Sequence, residues 1–363
     1  MTQANTGTAL DESFMALYRS CLLGETCETR AGTTRRMINV GATIPANGAY
    51  HRLKARRDSI LHKFVETLWV IRGGADVQPM FPFMHRVFDF CDKEQPTVWR
   101  GAYGPRISVY LNDIASLLKR EPDTRRAALA IYNNDLDFCV SSKDIPCNMS
   151  LVFVPESGNR LSLTVFIRSN DLVWGWSGIN VFEWACVLSY VCGKLKLSPG
   201  NVSTMSVDLH LYERAWAMKL PETDEEYSTA FYGELPVNPS DFFVRYGEKP
   251  KAVSGLVDSM FTHCYGWLNE YVRTMGKKRK SGVAVDAYHA FTLHKKKIQS
   301  VVEREKLFEP LFWIYQGYCY FWQCLQGGGK GLRYFLTGHE QVDDSIKLCQ
   351  LSADRLLKGE VKI

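Results

Sequence analysis

The sequence predicts an α+β domain over residues 15–225, followed by a mostly helical extension over residues 226–363. In the first part, short β-rich runs alternate with apolar segments of helical periodicity. After Pro236 the pattern changes, because glycine and proline interrupt residues 236–255 and long aromatic-rich helical patterns follow. With 46% hydrophobic and 23% charged residues among 363, the chain can bury a sizeable core and is not typical of disordered proteins.

The first predicted element is a helix from Leu53 to Ile71. Its apolar residues recur at every third or fourth position, and the pair Gly73-Gly74 ends the pattern. A β-hairpin is predicted next, with strands at Leu151–Val154 and Leu161–Ile167 joined by the turn-forming residues 155–159.

A largely apolar helix is predicted over Ile179–Leu195, and a strand over Val202–Tyr212. Four further helices are predicted in the extension: Val257–Met275, Tyr288–Glu303, Leu307–Leu325 and Asp343–Leu357. The run Gly327–Gly331 lacks the spacing of a nucleotide-binding loop and is predicted to be a turn.

Composition narrows the class of protein. No run of eighteen apolar residues is present and the first twelve residues are polar, so neither a membrane span nor a secretion signal is predicted. The eleven cysteines lack zinc-site spacing, which favours reduced thiols in the cytoplasm and no bound metal.

The net charge of +5 includes two basic runs, Lys277–Lys280 and Lys295–Lys297. Nothing aromatic alternates with these lysines as a base-stacking surface requires. A solvated loop and a solvated helix face are therefore favoured over a nucleic-acid site.

An ordered set of polar residues lies between residues 144 and 212. It consists of Pro146-Cys147-Asn148, Arg168-Ser169-Asn170-Asp171, Asn180, and Asp208-Leu209-His210-Leu211-Tyr212. A guanidinium beside a cysteine favours the reactive thiolate, and an arginine followed by serine suits a phosphate monoester. Taken singly, Cys147 could be a small buried apolar residue and Arg168 a surface ion-pair partner.

These motifs resemble those of the thymidylate synthase family, which includes the pyrimidine-nucleotide hydroxymethylases. Four upstream segments extend the resemblance: Arg30-Ala31-Gly32-Thr33-Thr34, the helix from Glu66 to Gly73, Tyr103-Gly104, and Pro122-Asp123-Thr124-Arg125-Arg126. The eight segments occur in the family's order, from Arg30 to Tyr212, and imply a thymidylate synthase-like fold.

The resemblance implies a covalent mechanism. Cys147 would add to C6 of a pyrimidine, so that C5 attacks the one-carbon unit of 5,10-methylenetetrahydrofolate. Glu66 would organise water and move protons; without the resemblance, a helix-surface residue is the alternative. Tyr103 and Asp171 would complete the catalytic set.

The resemblance also implies binding residues. Arg30, Arg168 and Ser169 would hold the 5′-phosphate, and Arg125 and Arg126 would reach the partner's phosphate across a homodimer interface. A charge patch at a helix start is the alternative for that pair. The sugar would be bound by His210 and Tyr212, which point to one face of their strand, the base by Asn180, and the folate by Asp171, Phe88 and Trp69.

Three departures from the synthase pattern favour a different product. Asn148 replaces a histidine, Phe88-Asp89-Phe90-Cys91 lacks both tryptophans of the family's Trp-Asp-x-Trp, and the segment 171–180 is one residue longer. A pocket without those indoles would let water, rather than hydride, capture the methylene intermediate. The longer segment looks like that of phage-type hydroxymethylases.

The sequence therefore predicts a folate-dependent hydroxymethylase of dUMP, supplying a modified base for phage DNA. Asn180 favours uracil, since its amide can donate to O4 and accept from N3–H. The alternatives are a thymidylate synthase, a hydroxymethylase of dCMP or CMP, and an inactive homologue that binds nucleic acid or a replication partner.

Overall fold

A computed structural model describes residues 7–216, 218–275, 295–325 and 335–361. The chain packs as two compact units that alternate along the sequence. The first unit comprises Met1–Asp58, Tyr103–Val140 and Ile145–Glu248, and the second comprises Ser59–Ala102, Ser141–Asp144 and Lys249–Ile363.

This alternation differs from the single boundary near residue 225 that the change in composition predicts. Residues 59–102 precede the predicted boundary but pack with the extension. Local composition reflects residues that are neighbours along the chain, so it does not predict packing between segments that are distant in sequence. The domains 15–225 and 226–363 themselves remain a prediction.

The first unit is built on a seven-stranded mixed sheet. Its strands are β1 Glu25–Thr29, β2 Gly32–Pro45, β3 Ala128–Ala130, β4 Asn148–Glu156, β5 Arg160–Ile167, β6 Asn170–Asp171 and β7 Ser198–Tyr212. Their order is β1-β2-β7-β5-β4-β3, with β6 also beside β7. The pairs β5–β7 and β6–β7 are parallel and the others antiparallel. A mixed sheet with helices confirms the predicted α+β class.

The predicted hairpin is confirmed as β4 and β5, which pair from Asn148 with Ile167 to Glu156 with Arg160. Gly158 and Asn159 in its turn have φ values of 73° and 61°, a left-handed conformation that glycine and asparagine tolerate. The predicted strand 202–212 is also confirmed and begins earlier, at Ser198. A parallel β5–β7 pair requires a crossover connection, which residues 172–195 supply as helix.

The longer helices are numbered in chain order. They are α1 Ala9–Leu22, α2 Ile60–Ile71, α3 Leu111–Arg120, α4 Val181–Leu195, α5 Pro239–Glu248, α6 Pro250–Met275, α7 295–304, α8 Glu309–Leu325 and α9 Glu340–Leu357. Short helical turns lie at Gly104–Ile107, Asn134–Asp137, Glu213–Trp216 and Asp224–Thr229. A π-helix, Leu172–Asn180, leads directly into α4, so the helix predicted from Ile179 begins at Val181.

The helix predicted from Leu53 is wrong at its start and correct at its end. Arg57 has a φ of 46°, which a helix does not continue through. Ser59 caps α2 instead, since its side chain accepts a hydrogen bond from the His62 N–H at 3.2 Å. Leu53 belongs to the first unit, where it forms a β-bridge with Phe231.

The second unit packs around aromatic side chains. Phe64 on α2 meets Trp313 on α8 with ring centroids 6.3 Å apart. Phe83 lies edge-on to Tyr318 at 4.9 Å, and the Tyr318 hydroxyl donates to the Pro79 carbonyl at 2.7 Å. Helices α6, α8 and α9 confirm three of the four helices predicted in the extension.

The fourth predicted helix, 288–303, is described only from residue 295, and residues 295–304 are helical. The segments Lys277–Lys280 and Gly327–Gly331 lie outside the described residues. Within the described ranges, no helix combines the length and the apolarity needed to cross a bilayer.

Candidate active site

Cys147 lies immediately before β4, and its thiol is half-buried. The adjacent strand brings Arg168 to it: the Arg168 N–H donates to the Cys147 carbonyl at 3.0 Å. The Arg168 guanidinium donates to the carbonyls of Pro146 and Ile145 at 2.9 and 3.1 Å. These bonds fix the main chain that carries the thiol, as expected for residues at one end of a hairpin.

Asn148, the next residue, is fully buried. Its Nδ2 donates to the Tyr103 hydroxyl at 2.6 Å and to Asn180 Oδ1 at 3.3 Å. Its Oδ1 accepts from the indole Nε1 of Trp184 at 3.3 Å. The structure thus brings two predicted site residues, Tyr103 and Asn180, onto the side chain that follows the nucleophile.

The hydrogen-bonded amides continue beyond Asn180. Asn180 Nδ2 donates to Asn170 Oδ1 at 3.2 Å, and Asn170 Nδ2 donates to Ser206 Oγ on β7 at 3.0 Å. We call Asn148, Asn180 and Asn170 the amide relay. Sequence reasoning missed the roles of Asn170 and Trp184, although three asparagines within one ordered motif set were visible.

The π-helix covers the middle of the amide relay. A π-helical turn holds more residues than an α-helical turn and is frequent at functional sites. It coincides with the segment that the resemblance marks as one residue longer than in synthases. A Cβ added at Gly175 would lie 2.9 Å from Asn170 Oδ1 and 3.4 Å from Asn180 Nδ2. Glycine therefore lets the main chain approach this hydrogen bond closely.

Asp208, His210 and Tyr212 share one face of β7. His210 is 7% exposed, and its Nδ1 lies 2.8 Å from Asp208 Oδ1. The rings of His210 and Tyr212 meet edge to face at 5.2 Å. Burial and then the charge of Asp171 raise the pKa of Tyr212, so its hydroxyl stays protonated at neutral pH. The pair can therefore offer hydrogen bonds to a sugar hydroxyl.

Asp171 caps the π-helix. Its Oδ1 accepts from the Val173 and Trp174 N–H groups at 2.8 and 3.1 Å, and its Oδ2 lies 3.8 Å from Arg214. The Arg214 guanidinium also lies 4.6 Å from the centre of the Tyr212 ring. Arg214 was missed by the sequence reasoning, although it stands two residues after the last motif.

The remaining arginines lie on exposed loops. Arg30 is in the β1–β2 turn, four residues before Thr34, the β2 partner of Tyr212. Arg126 pairs with Glu121 at 2.7 Å. Arg125 borders a cavity of about 750 Å³ within the first unit, between the end of α3 and the β4–β5 hairpin. Contact of Arg125 and Arg126 with a partner's phosphate stays a prediction.

In the second unit, Glu66 lies on α2 and is 7% exposed. His62 stands one helical turn before it, and His62 Nε2 lies 2.7 Å from Glu66 Oε2. The imidazole therefore places an ionisable group directly against this buried carboxylate. Sequence reasoning missed His62, although its spacing of four residues from Glu66 was a visible signal.

Trp69 and Phe88, the predicted folate contacts, pack inside the second unit. Trp69 is 2% exposed, and its Nε1 donates to the Asp76 carbonyl at 2.7 Å. Phe88 packs on Phe81 with centroids 5.0 Å apart. Because so little of the Trp69 surface is exposed, the prediction that Trp69 contacts the folate rests on the resemblance alone.

The turn that carries Phe88 is held by α9. Arg355 donates from Nη1 to the His85 carbonyl at 2.5 Å and from Nη2 to Asp89 Oδ1 at 3.1 Å. Although burial opposes it, hydrogen bonds from Arg86 and Arg355 lower the pKa of Asp89. Lys143, four residues before the nucleophile, donates to the Asp89 carbonyl at 3.4 Å.

Comparison with known proteins agrees with these motifs. Residues 64–230 match the thymidylate synthase family. The chain is 32% identical over 228 residues to the deoxyuridylate hydroxymethyltransferase of Pseudomonas phage M6. The aligned region covers 61% of this chain and 63% of that protein. It is also 29% identical over 186 residues to the deoxyuridylate hydroxymethyltransferase of Bacillus phage SP01. That aligned region covers 47% of this chain and 48% of the phage protein.

A putative thymidylate synthase of Methanosarcina barkeri is 30% identical over 101 residues, covering 28% of this chain and 45% of that protein. The chain thus spans less than two thirds of the length of each of these curated relatives.

Proposed function

Because residues 64–230 match the thymidylate synthase family, we propose that this chain hydroxymethylates dUMP at C5, with 5,10-methylenetetrahydrofolate as the one-carbon donor. The observation that carries the proposal is the geometry after the nucleophile. The residue that follows Cys147 hydrogen-bonds Asn180, the amide proposed to bind the base. Similarity to phage deoxyuridylate hydroxymethyltransferases supports the hydroxymethyl product and dUMP as substrate.

The first unit would bind and activate the nucleotide. The Cys147 thiolate adds to C6, which gives C5 the electron pair for attack on the one-carbon unit. Arg168, Ser169 and Arg30 neutralise the 5′-phosphate, as guanidinium and hydroxyl donors suit a phosphate monoester. His210 and Tyr212 would hold the 3′-hydroxyl from the buried face of β7.

The residues present fit a folate. Trp174 leaves about half of its surface exposed beside the Asp171 carboxylate, so one segment offers an aromatic face and an acceptor. These are the groups that a flat, amino-bearing pterin ring requires. The folate, when bound, supplies the carbon that C5 attacks.

Glu66 would take protons and direct water. After loss of the C5 proton and departure of tetrahydrofolate, the base carries an exocyclic methylene at C5. Glu66, partnered by His62, would orient a water whose oxygen adds to this carbon. Expulsion of the Cys147 thiolate then restores the C5–C6 double bond, and the product is 5-hydroxymethyl-dUMP.

A homodimer is supported by one face of the sheet. Phe166 pairs with Met205 across β5 and β7, and both side chains are 40–43% exposed, with Val207 beside them at 55%. Contiguous exposed apolar residues on a sheet face mark an interaction surface. A second copy of the chain would cover this face, and Arg125 and Arg126 could then contact the phosphate bound by that copy.

The test is mass spectrometry of the nucleotide after incubation of the protein with methylenetetrahydrofolate and dUMP, dCMP or CMP. We expect 5-hydroxymethyl-dUMP, with the folate left as tetrahydrofolate. A methylated product with dihydrofolate would make the chain a thymidylate synthase, the second candidate that the family match supports. No product from any nucleotide would refute both candidates and favour the inactive homologue.

A further inference from the structure

Trp184 donates a hydrogen bond to the amide relay, and it has one chemical property that the relay's other members lack. An indole N–H can only donate, whereas an amide or a hydroxyl can both donate and accept. We infer that Trp184 fixes the orientation of the Asn180 amide and thereby restricts the site to a single pyrimidine base. The inference rests on the proposed function, because it assumes that Asn180 binds the base.

The direction of each hydrogen bond follows from the Trp184 indole. Its Nε1 faces an Asn148 side-chain atom at 3.3 Å, which must be the acceptor Oδ1. Asn148 therefore presents Nδ2 to Asn180 at 3.3 Å. The Asn180 atom that faces it must then be Oδ1, which leaves Nδ2 on the side of Asn170.

The other ends of the network do not set a direction. Tyr103 accepts from Asn148 at 2.6 Å, and Ser206 accepts from Asn170 at 3.0 Å. Both are hydroxyls that could rotate and donate instead. If all three amides turned over, these ends would still be satisfied, and only the Trp184 N–H would then face a donor.

The cost of that reversal comes from burial. Trp184 and Asn148 are both fully buried, so an indole N–H turned against an amide N–H has no water to bond with. Leaving a buried donor without an acceptor costs more free energy than an ordinary hydrogen bond contributes. The indole therefore holds Asn180 in one orientation, although an isolated asparagine amide turns over freely.

Orientation decides which base is accepted. Uracil presents an acceptor at O4 and a donor at N3, whereas cytosine presents a donor at N4 and an acceptor at N3. An asparagine that matches uracil would match cytosine after its oxygen and nitrogen exchange places. An Asn180 amide that turned freely would therefore accept both bases. An amide held in one orientation accepts one base, and it places donor against donor and acceptor against acceptor when the other base binds.

The test is Trp184→Phe, which keeps a buried aromatic ring and removes the N–H. The ratio of kcat/KM for dUMP to kcat/KM for dCMP is measured, together with dissociation constants for both nucleotides by calorimetry. A site whose polar groups oppose the wrong substrate discriminates by about 10⁴-fold or more. We expect Trp184→Phe to lower the ratio at least about tenfold, chiefly by improving binding of dCMP.

Trp176→Phe is the matched control. Trp176 is another buried tryptophan of the first unit, and its Nε1 donates to Thr204 Oγ1 at 2.8 Å, outside the amide relay. We expect this variant to keep the wild-type ratio. A second variant, Asn148→Leu, removes the residue that links Trp184 to Asn180 and should also lower the ratio.

The outcomes separate this inference from the proposed function. A folded Trp184→Phe protein with the wild-type ratio would overturn the inference and leave the proposed function standing. An equal fall of the dUMP-to-dCMP ratio in Trp176→Phe would also overturn it. Loss of any buried indole hydrogen bond would then be enough to weaken base selection. A wild-type protein that binds neither nucleotide would overturn both.

Discussion

The two units hold their proposed active residues by different means. In the first unit, Asn180 is oriented by hydrogen bonds that pass from one buried amide to the next. In the second unit, Glu66 lies against the His62 imidazole, and Phe88 lies on a turn packed against aromatic rings and held by Arg355.

The difference follows from what each unit is proposed to do. Distinguishing two pyrimidines requires donors and acceptors in fixed directions, which buried amides without freedom to turn supply. Moving protons and enclosing the flat ring of a folate require an acid–base pair and a shaped wall, which a histidine–glutamate pair and packed aromatic rings supply. We therefore expect substitutions in the amide relay to change nucleotide selection, and those at Glu66 and at the Phe88 turn to change proton transfer and folate binding, respectively.

The largest expected effect is that of Cys147→Ser. Serine keeps the size of the side chain but is a far weaker nucleophile, so turnover should fall by about 10⁴-fold or more while nucleotide still binds. Product formation and calorimetric binding of dUMP are measured in parallel. Cys139→Ser, which alters an exposed thiol of the same unit, is the control. Full activity in Cys147→Ser would remove covalent catalysis from the proposal.

Glu66→Gln should have the next largest effect. The amide keeps the shape of the carboxylate and its contact with His62, but it cannot take a proton. General acid–base groups contribute about 10²–10⁴-fold, so kcat should fall by that factor with little change in KM for dUMP. His62→Gln should give a smaller loss and a changed pH–rate profile. An equal loss in both variants at every pH would indicate that the pair only supports the helix.

The packing of the two units can be compared with one substitution in each. A methyl group at Gly193 of α4 would overlap with the Val244 carbonyl of α5, whereas one at Gly317 of α8 would overlap with the Phe83 ring. A ring can turn aside and a helix backbone cannot. Gly193→Ala should therefore lower the free energy of unfolding by about 3 kcal/mol and Gly317→Ala by about 1 kcal/mol, as measured by denaturant titration. Equal losses would contradict this distinction.

The sequence predicted the sheet better than it predicted which segments pack together. Alternating β-rich runs and a turn-forming loop correctly located β4, β5 and most of β7, because those signals are local. The predicted start of α2 at Leu53 was wrong because the left-handed Arg57 interrupts the helix and Ser59 caps it two residues later. The packing of residues 59–102 with the extension depends on long-range contacts that no local pattern contains.

The same limit applies to the candidate site. The motif set identified Cys147 and Asn180, whose types and spacing indicate chemistry directly. It contains Asn170 but assigns it no role, and it does not contain Trp184, because the partners of these two side chains are known only once the hydrogen bonds are seen. Residues that orient other residues are found by geometry, whereas residues that react are found by type.

The smallest effect, and the one that bears on the extension, is expected for Arg355→Ala. Loss of the hydrogen bonds to His85 and Asp89 frees the turn that carries Phe88. KM for the folate should therefore rise about tenfold, which corresponds to about 1.4 kcal/mol of binding free energy. KM for dUMP should stay unchanged. Lys347→Ala, which removes an exposed ion pair with Asp344 on the same helix, should change neither constant. Arg355→Lys should recover part of the loss, since an ammonium restores the charge but not the paired donors. A rise in KM for dUMP instead would mean that α9 acts on the whole protein and not on one turn.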